Sequence, residues 1–416
     1  MDRLVMFFME DVFKQVLDIS RTILINSVKY PTVLGEYYED LIDYYAEELS
    51  KYGIHVTIHR VPDEYSKNAL SKQFNPDKPR YILMARIGKG KRVLQFNGHY
   101  DVVSPGEGWT TDPFNPVVIN GKVYGRGTTD MKAGIAAFLS AMIYYAIKGE
   151  EPDVIVEGAV VPDEEIGGAT GTGYLVNELS SRPDFAVIAE PSGIDNIYIG
   201  HRGNVWGMLR IHGKQAHGST PWLGDNAFEK MIVFADYFIR NYKPLLETRT
   251  SKFKYEDPRA AHPSVTLGGR LEAPGSINIV PGQVGFSIDR RLIIEENSDD
   301  VIRELKEFVE SASRNLNIDV QFEVVERSNP VYVDENHPYL TMLSKAIKET
   351  LNVEPSKSIC VGGLDLKYYL AKGIPAVAYG PGEVSMAHKA NEYVSLQNLY
   401  DIIKVYIKLI DLFSDI

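Results

Sequence analysis

The sequence predicts an α/β fold: a mixed, mostly parallel sheet flanked by helices, with an α+β sandwich inserted as a second domain. Three observations predict it. Short apolar, β-branched runs at residues 81–87, 92–97, 154–161 and 185–189 are bounded by Gly, Pro or charged residues, as strands buried on both faces are. Helical stretches separate several of these runs, and the alanines and long apolar residues of 131–148 suit a helix packed on a sheet. From 204 to 326 the order changes to strand, helix, two strands, helix and strand, which is the order of a small two-layer sandwich.

The individual elements follow in chain order. Two helical patterns open the sequence, near 10–25 and over 41–52, the second closed by Gly53. The inserted region reads as strand 205–212, helix 226–240, strands 265–271 and 284–292, helix 300–315 and strand 318–325. Beyond about 330 the α/β alternation resumes with strands at 358–361 and 376–379 and a closing helix at 397–413. The expected organisation is one α/β domain of 1–203 with 327–416, and a second domain of 204–326 inserted into it.

Bulk properties exclude several classes. A chain of 416 residues exceeds one typical core, so two domains are the natural expectation. The formal net charge of −12 argues against a nucleic-acid partner, which needs a concentrated basic face. The lone Cys360 excludes an intramolecular disulfide; it reads as a buried structural thiol in a reducing, cytoplasmic compartment. The apolar run at 4–9 is too short for a secretory segment. Nothing approaches the roughly 20 apolar residues of a membrane span.

The informative positions follow strands. The run 92–97 leads into Gly98-His99-Tyr100-Asp101, 154–161 into Pro162-Asp163-Glu164-Glu165, and 185–189 into Glu190-Pro191. If these strands are neighbours, one imidazole and several carboxylates meet at one edge of the sheet, where α/β proteins build their sites. Crowded carboxylates repel, and a cation between them is the simplest remedy. His99 and Asp101 point the same way along an extended segment, so Asp101 suits the carboxylate that orients a metal-bound imidazole. Each signal has a plainer reading. His99 and Asp101 also fit a surface pair in a turn, Asp130 a helix N-cap, Glu164 and Glu165 solvated acids, and His388 a loop histidine.

Taken in order, the motifs resemble a family. Gly98-His99-Tyr100-Asp101, Gly125-Arg126-Gly127-Thr128-Thr129-Asp130-Met131-Lys132-Ala133-Gly134, Asp163-Glu164-Glu165-Ile166-Gly167-Gly168, Ala189-Glu190-Pro191-Ser192 and the segment from Gly380 through His388 to Glu392 resemble the co-catalytic di-zinc metallopeptidases and deacylases of the M20 group. That group includes acetylornithine deacetylases, succinyl-diaminopimelate desuccinylases, aminoacylases and glutamate carboxypeptidases. The resemblance implies two divalent ions, zinc first, with cobalt or manganese also suited to the donors. Asp130 is the implied bridge, His99 and Glu190 complete one ion's shell, and Glu165 and His388 complete the other's. Glu164 is the implied general base toward a metal-activated water, and Asp101 the orienting acid. The family also implies a cis peptide after Asp130.

In the inserted domain, His217 resembles a lid histidine that polarises the scissile carbonyl, often across a dimer interface. Asn278 resembles a residue near the substrate, and Arg291 one that pairs with a substrate carboxylate, with Arg290 as its adjacent competitor. A polar loop, a turn and a solvated strand are the plainer readings. One departure stands out: many relatives carry Thr-Asp-Ala-Arg or similar after paired glycines, where this chain has Leu364-Asp365-Leu366-Lys367.

The expected function is therefore cleavage of the amide bond of an N-acyl amino acid, as in deacetylases and desuccinylases, by a homodimer formed through the inserted domain, without a nucleic-acid or membrane partner. A carboxypeptidase or dipeptidase acting on short peptides is the alternative, and a non-catalytic metal-binding protein a remote one.

Overall fold

The structure, a computed structural model, describes residues 3–415, with side chains from Asp11 onward. The chain divides into two compact units: Met1–Ile199 with Val333–Lys357 and Leu364–Ile416, and Gly200–Tyr332 with Ser358–Gly363.

In the first unit the strands run in the order His55–Arg60, Tyr81–Ile87, Ile155–Val161, Val93–His99, Phe185–Ile188, Ala376–Ala378 and Asn196–His201, the chain passing to the second unit within the last. The central pairs are parallel and the outer ones antiparallel. The register sets up the site: His99 lies opposite Val161, and Asn97 lies opposite Ile188. The segments beginning at Tyr100, Pro162 and Ala189 therefore leave from one edge, the carboxyl ends of three adjacent strands.

The helix Ala133–Lys148 covers this sheet, and every residue from Ala133 to Tyr145 is buried. By length and composition the stretch Thr128–Lys148, with mean hydropathy 1.2, would pass for a membrane span. This corrects the expectation that nothing in the sequence approaches one. The helix is apolar all round because protein surrounds it, with 83% of its most apolar window buried. It packs beside Arg3–Val28, whose backbone includes the run 4–9 (the side chains of that run lie outside the described residues), and beside Leu396–Ser414. Between sheet and helices, Phe96 meets Phe138 at 6.1 Å and Tyr406 at 4.5 Å between ring centres.

The helix starts at Ala133 rather than 131, because Asp130 and Met131 have non-helical dihedrals and a cis peptide joins them. Elements with weak periodicity escaped the sequence reading. The strand His55–Arg60 is polar and largely exposed, and Val117–Ile119, Lys122–Tyr124 and Tyr393–Ser395 form a short separate sheet. The helix Pro338–Leu351 was also missed; its amide at Tyr339 is capped by His337 Nδ1.

The second unit holds an antiparallel sheet in the order Ser264–Glu272, Gln283–Leu292, Gly203–His212 and Val320–Ser328. The helices Ala227–Asn241 and Ser298–Leu316 pack on it. Asn226 and Asn297 accept the first amides of these helices, which fixes where each begins. Leu209, Phe234, Phe238, Phe286, Leu305 and Val309 lie in the core between the layers.

Gly134, in the first buried turn of Ala133–Lys148, faces the backbone just before Glu190; a methyl group there would run into the carbonyl oxygen of Ala189. Ala normally favours a helix interior over Gly by about 1 kcal/mol. Here Gly134→Ala is expected to reverse that sign and destabilise the protein by about 1–3 kcal/mol in urea unfolding. A stabilised variant would contradict this packing.

Candidate metal centre

The three parallel strands deliver their side chains to one pocket of the first unit. His99 is 1% exposed, and its Nε2 lies 3.0 Å from Asp130 Oδ1 and 3.7 Å from Glu190 Oε1. Its other nitrogen, Nδ1, lies 3.0 Å from the carbonyl oxygen of Asp101 and 3.4 Å from its carboxylate. That contact fixes the ring so that Nε2 faces the acids. Asp130 reaches a second imidazole with its other oxygen: His388 Nε2 is 3.3 Å from Asp130 Oδ2 and 2.9 Å from Glu165 Oε2. The carboxylate of Asp130 thus lies between two histidines. It caps no helix, since its side chain bonds no amide of Ala133–Lys148.

Donor atoms of His99, Asp130 and Glu165 all lie within 4.8 Å of one another, as do those of His99, Glu164 and Glu190. Spacing of this kind fits the donor chemistry of divalent ions bound by nitrogen and oxygen. Electrostatics points the same way. Burial pushes the carboxyl of Glu165 up to about 7, and the charge of Asp130 adds to the push. Glu164 is raised well above the usual range first by burial and then by the charge of Glu190, and Glu190 first by burial and then by the charge of Asp130. Glu190 Oε1 is buried without a hydrogen-bond partner. Without an added cation, the balancing protons fall to the imidazoles: hydrogen bonds to Asp130 and Glu165 lift His388 to about 10. Buried acids that repel, an orphaned carboxylate oxygen and two imidazoles turned toward them make a pocket suited to cations.

Two further carboxylates shape the loops. Asp101 accepts the backbone amides of Glu164 and Glu165, at 3.1 Å each, which ties the acid pair to the histidine strand. Glu392 is fully buried and accepts the amides of Gly127, Thr129 and Asp130 at 3.0, 2.8 and 3.0 Å, with Arg126 Nη1 at 2.6 Å. It clamps the turn that presents Asp130. Glu392 lies in the motif that ends the His388 segment, and its distance in sequence from residues 127–130 conceals this contact from local pattern. Asp365 escapes local pattern likewise. It is buried against Gly168, and neither carboxylate oxygen has a hydrogen-bond partner.

The remaining predicted residues belong to the second unit. His217 pairs with Ile279 across a two-residue ladder, and Gly218 donates to the carbonyl of Asn278 at 2.8 Å, so the His217 and Asn278 loops are neighbours. Of the two arginines, Arg290 is wholly buried and its Nη2 donates to Glu296 at 2.5 Å. Arg291 is 31% exposed, lies over the ring of Trp206 and is paired with Asp289. Strand alternation separates them, and the outward one is Arg291.

A model described as Peptidase family M20/M25/M40 matches residues 95–412, more than half of the chain. The chain belongs to this family. A succinyl-diaminopimelate desuccinylase of Gluconobacter oxydans is 31% identical over 350 residues, covering 81% of this chain and 86% of that protein. An uncharacterized metallohydrolase of Methanocaldococcus jannaschii is 28% identical over 424 residues, covering 97% and 100%. Human carnosine dipeptidase 1 shares the fold at a TM-score of 0.77 with 17% identity, covering 98% of this chain and 99% of that one. An M20 family metallo-carboxypeptidase from Sulfolobus solfataricus does so at 0.73 with 20% identity, covering 95% and 99%. This M20 chain is a metal-dependent hydrolase acting on amide bonds.

The Glu392 clamp carries a prediction. Glu392→Gln replaces an acceptor oxygen by an amide group that faces backbone donors. Metal affinity, read by competition with a chromophoric chelator, is expected to fall about 10–100-fold. Unchanged affinity would mean that the turn holds Asp130 in place unaided.

Proposed function

We propose that the protein hydrolyses the amide bond of an N-acyl amino acid, with a succinyl or acetyl group on the acyl side. Glu164 carries this reading: a half-buried carboxylate, raised well above its usual range by desolvation, stands beside His99 and Glu190 in the pocket and is the natural proton carrier there. The 31% identity with a desuccinylase supports the acyl-amino-acid substrate class.

In this reading two divalent ions would be held by His99, Glu190, Glu165 and His388, with Asp130 shared between them: His99 and Glu190 would serve one ion, and Glu165 and His388 the other. When bound, such ions, zinc first and cobalt or manganese next, supply Lewis acidity toward the scissile carbonyl and lower the pKa of water. The chain's own groups do the rest. Asp101 holds His99 in register and fixes the Glu164–Glu165 backbone. Glu164 accepts a proton as water oxygen bonds to the amide carbon, then delivers it to the nitrogen as the C–N bond breaks; the second water proton leaves the new carboxylic acid for the amine, giving a carboxylate and an ammonium group. His217 polarises the carbonyl, Asn278 contacts the substrate and Arg291 receives its α-carboxylate; the last exchanges Asp289 for the substrate's bidentate group.

Glu164→Ala is expected to lower kcat at least 100-fold while two ions per chain remain bound. Zinc- and cobalt-loaded protein should be assayed with N-succinyl-LL-diaminopimelate, N-acetylornithine and simple dipeptides. Turnover of the acylated amino acids supports the deacylase reading, and turnover of dipeptides alone replaces it with a peptidase. Full activity in Glu164→Ala contradicts the base assignment.

The same reading includes a cytoplasmic homodimer built on the second unit. On the helix Ala227–Asn241, Phe228, Ile232 and Ile239 are 49%, 53% and 46% exposed, an apolar stripe apart from the one that faces the core. A second copy of the chain is the occupant we assign to it. Ile232→Glu is expected to shift the protein from dimer to monomer in sedimentation equilibrium. A wild-type monomer at micromolar concentration would remove this part of the proposal.

A further inference from the structure

The acid pair Glu164–Glu165 sits on a loop whose first residue, Asp163, is held from outside the segment that carries the family match. Asp163 is fully buried and adopts φ 63°, ψ 24°, a left-handed conformation that a non-glycine residue keeps only when its surroundings enforce it. Its carbonyl closes the loop by accepting the amides of Ile166 at 3.3 Å and Gly168 at 2.7 Å. Three donors converge on its carboxylate: Tyr38 Oη at 2.8 Å, Arg80 Nε at 2.7 Å and Thr170 Oγ1 at 2.5 Å. Arg80 and Asp163 have side chains with no exposure. The rest of the Arg80 guanidinium donates to the carbonyls of Phe74, Asn75 and Lys78, so it is itself immobilised. Tyr38 also sets its ring edge-on to Tyr100, 4.8 Å between centres, and Tyr100 lies between His99 and Asp101 in sequence. Tyr38 and Arg80 lie before residue 95, where the family match begins.

We propose that Tyr38 and Arg80 are positioning residues for catalysis. By fixing Asp163 they set the angle at which Glu164 enters the pocket, while Asp101 fixes the same loop from the other side through two amides. Their side-chain hydrogen bonds go to Asp163 and to the carbonyls of residues 74–78, so each acts through Asp163. A charge-assisted, fully buried anchor suits this task, since a displacement of about 1 Å at a reacting group can cost on the order of 100-fold in rate. The proposal rests on the reading of Glu164 as the base.

Arg80 also supports residues 74–78, so its replacement mixes positioning with folding. Tyr38→Phe is the cleaner variant: it removes one donor oxygen and keeps the ring on Tyr100. In metal-loaded enzyme, with whichever substrate of the panel turns over, Tyr38→Phe is expected to lower kcat about tenfold with KM little changed. Two ions should remain bound and the thermal midpoint should hold. In the metal-free protein, hydrogen exchange at the Ile166 and Gly168 amides should accelerate, because their acceptor is Asp163. Arg80→Lys keeps the charge without the planar fork and should lower kcat further, by about 100-fold. Wild-type kcat in Tyr38→Phe overturns the proposal, as does a fall that only tracks lost metal or lost folded protein. The two failures are separable: an active Glu164→Ala removes the base assignment, whereas an unimpaired Tyr38→Phe beside an inactive Glu164→Ala removes only the positioning role.

Discussion

Like charge confined in a buried pocket is the constraint on which the rest of this structure depends. Asp101, Asp130, Glu164, Glu165 and Glu190 converge on two imidazoles. An unpaired carboxylate moved into such a site costs several kcal/mol even after relaxation. Neighbouring parts of the fold hold the arrangement against that cost. The parallel register aligns three strand ends, Glu392 clamps the Asp130 turn, and Asp101 ties the acid loop to the histidine strand. The helix Ala133–Lys148 closes on the sheet at Gly134, where even a methyl group would strike the backbone ahead of Glu190.

Much of this was legible in the sequence, for physical reasons. Central strands of the sheet are buried on both faces, so 92–97, 154–161 and 185–189 stood out as apolar runs, and so did their antiparallel neighbour 81–87. The residues after them stood out because acids and imidazoles rarely follow such runs without a task. In the second unit the helix read at 226–240 begins one residue later, after its cap Asn226, and the one read at 300–315 begins at Ser298, after its cap Asn297. What escaped was held by contacts distant in sequence. Glu392 meets residues 127–130, and Arg80 and Tyr38 meet Asp163, with no local pattern to announce either. The polar edge strand His55–Arg60 escaped because an exposed strand needs no apolar alternation. The apolar helix was found, but its resemblance to a membrane span was not; burial, which sequence does not report, separates the two.

The departure at Leu364-Asp365-Leu366-Lys367 takes a different meaning in three dimensions. Asp365 lies buried beside Gly168, and burial raises its carboxyl. Lys367 turns to the ring of Tyr368, 5.2 Å from its centre, rather than forming the fork an arginine would offer. The pocket thus keeps the donors that make this family metal-dependent while altering the residues around them. Such a pattern separates the chemistry, which the site specifies, from the acyl group, which the fold leaves open.

The donor arrangement of this pocket suits two cations. The direct measurement is calorimetric titration of the metal-free protein with zinc, followed by thermal unfolding with and without the metal. Two ions per chain should bind with release of protons, because the imidazoles and acids that hold protons in the empty pocket must give them up. Stability should then rise by about 4 kcal/mol for each ion supplied at 1,000 times its dissociation constant. Failure to bind two ions, or binding that leaves the unfolding transition unmoved, would contradict the central claim.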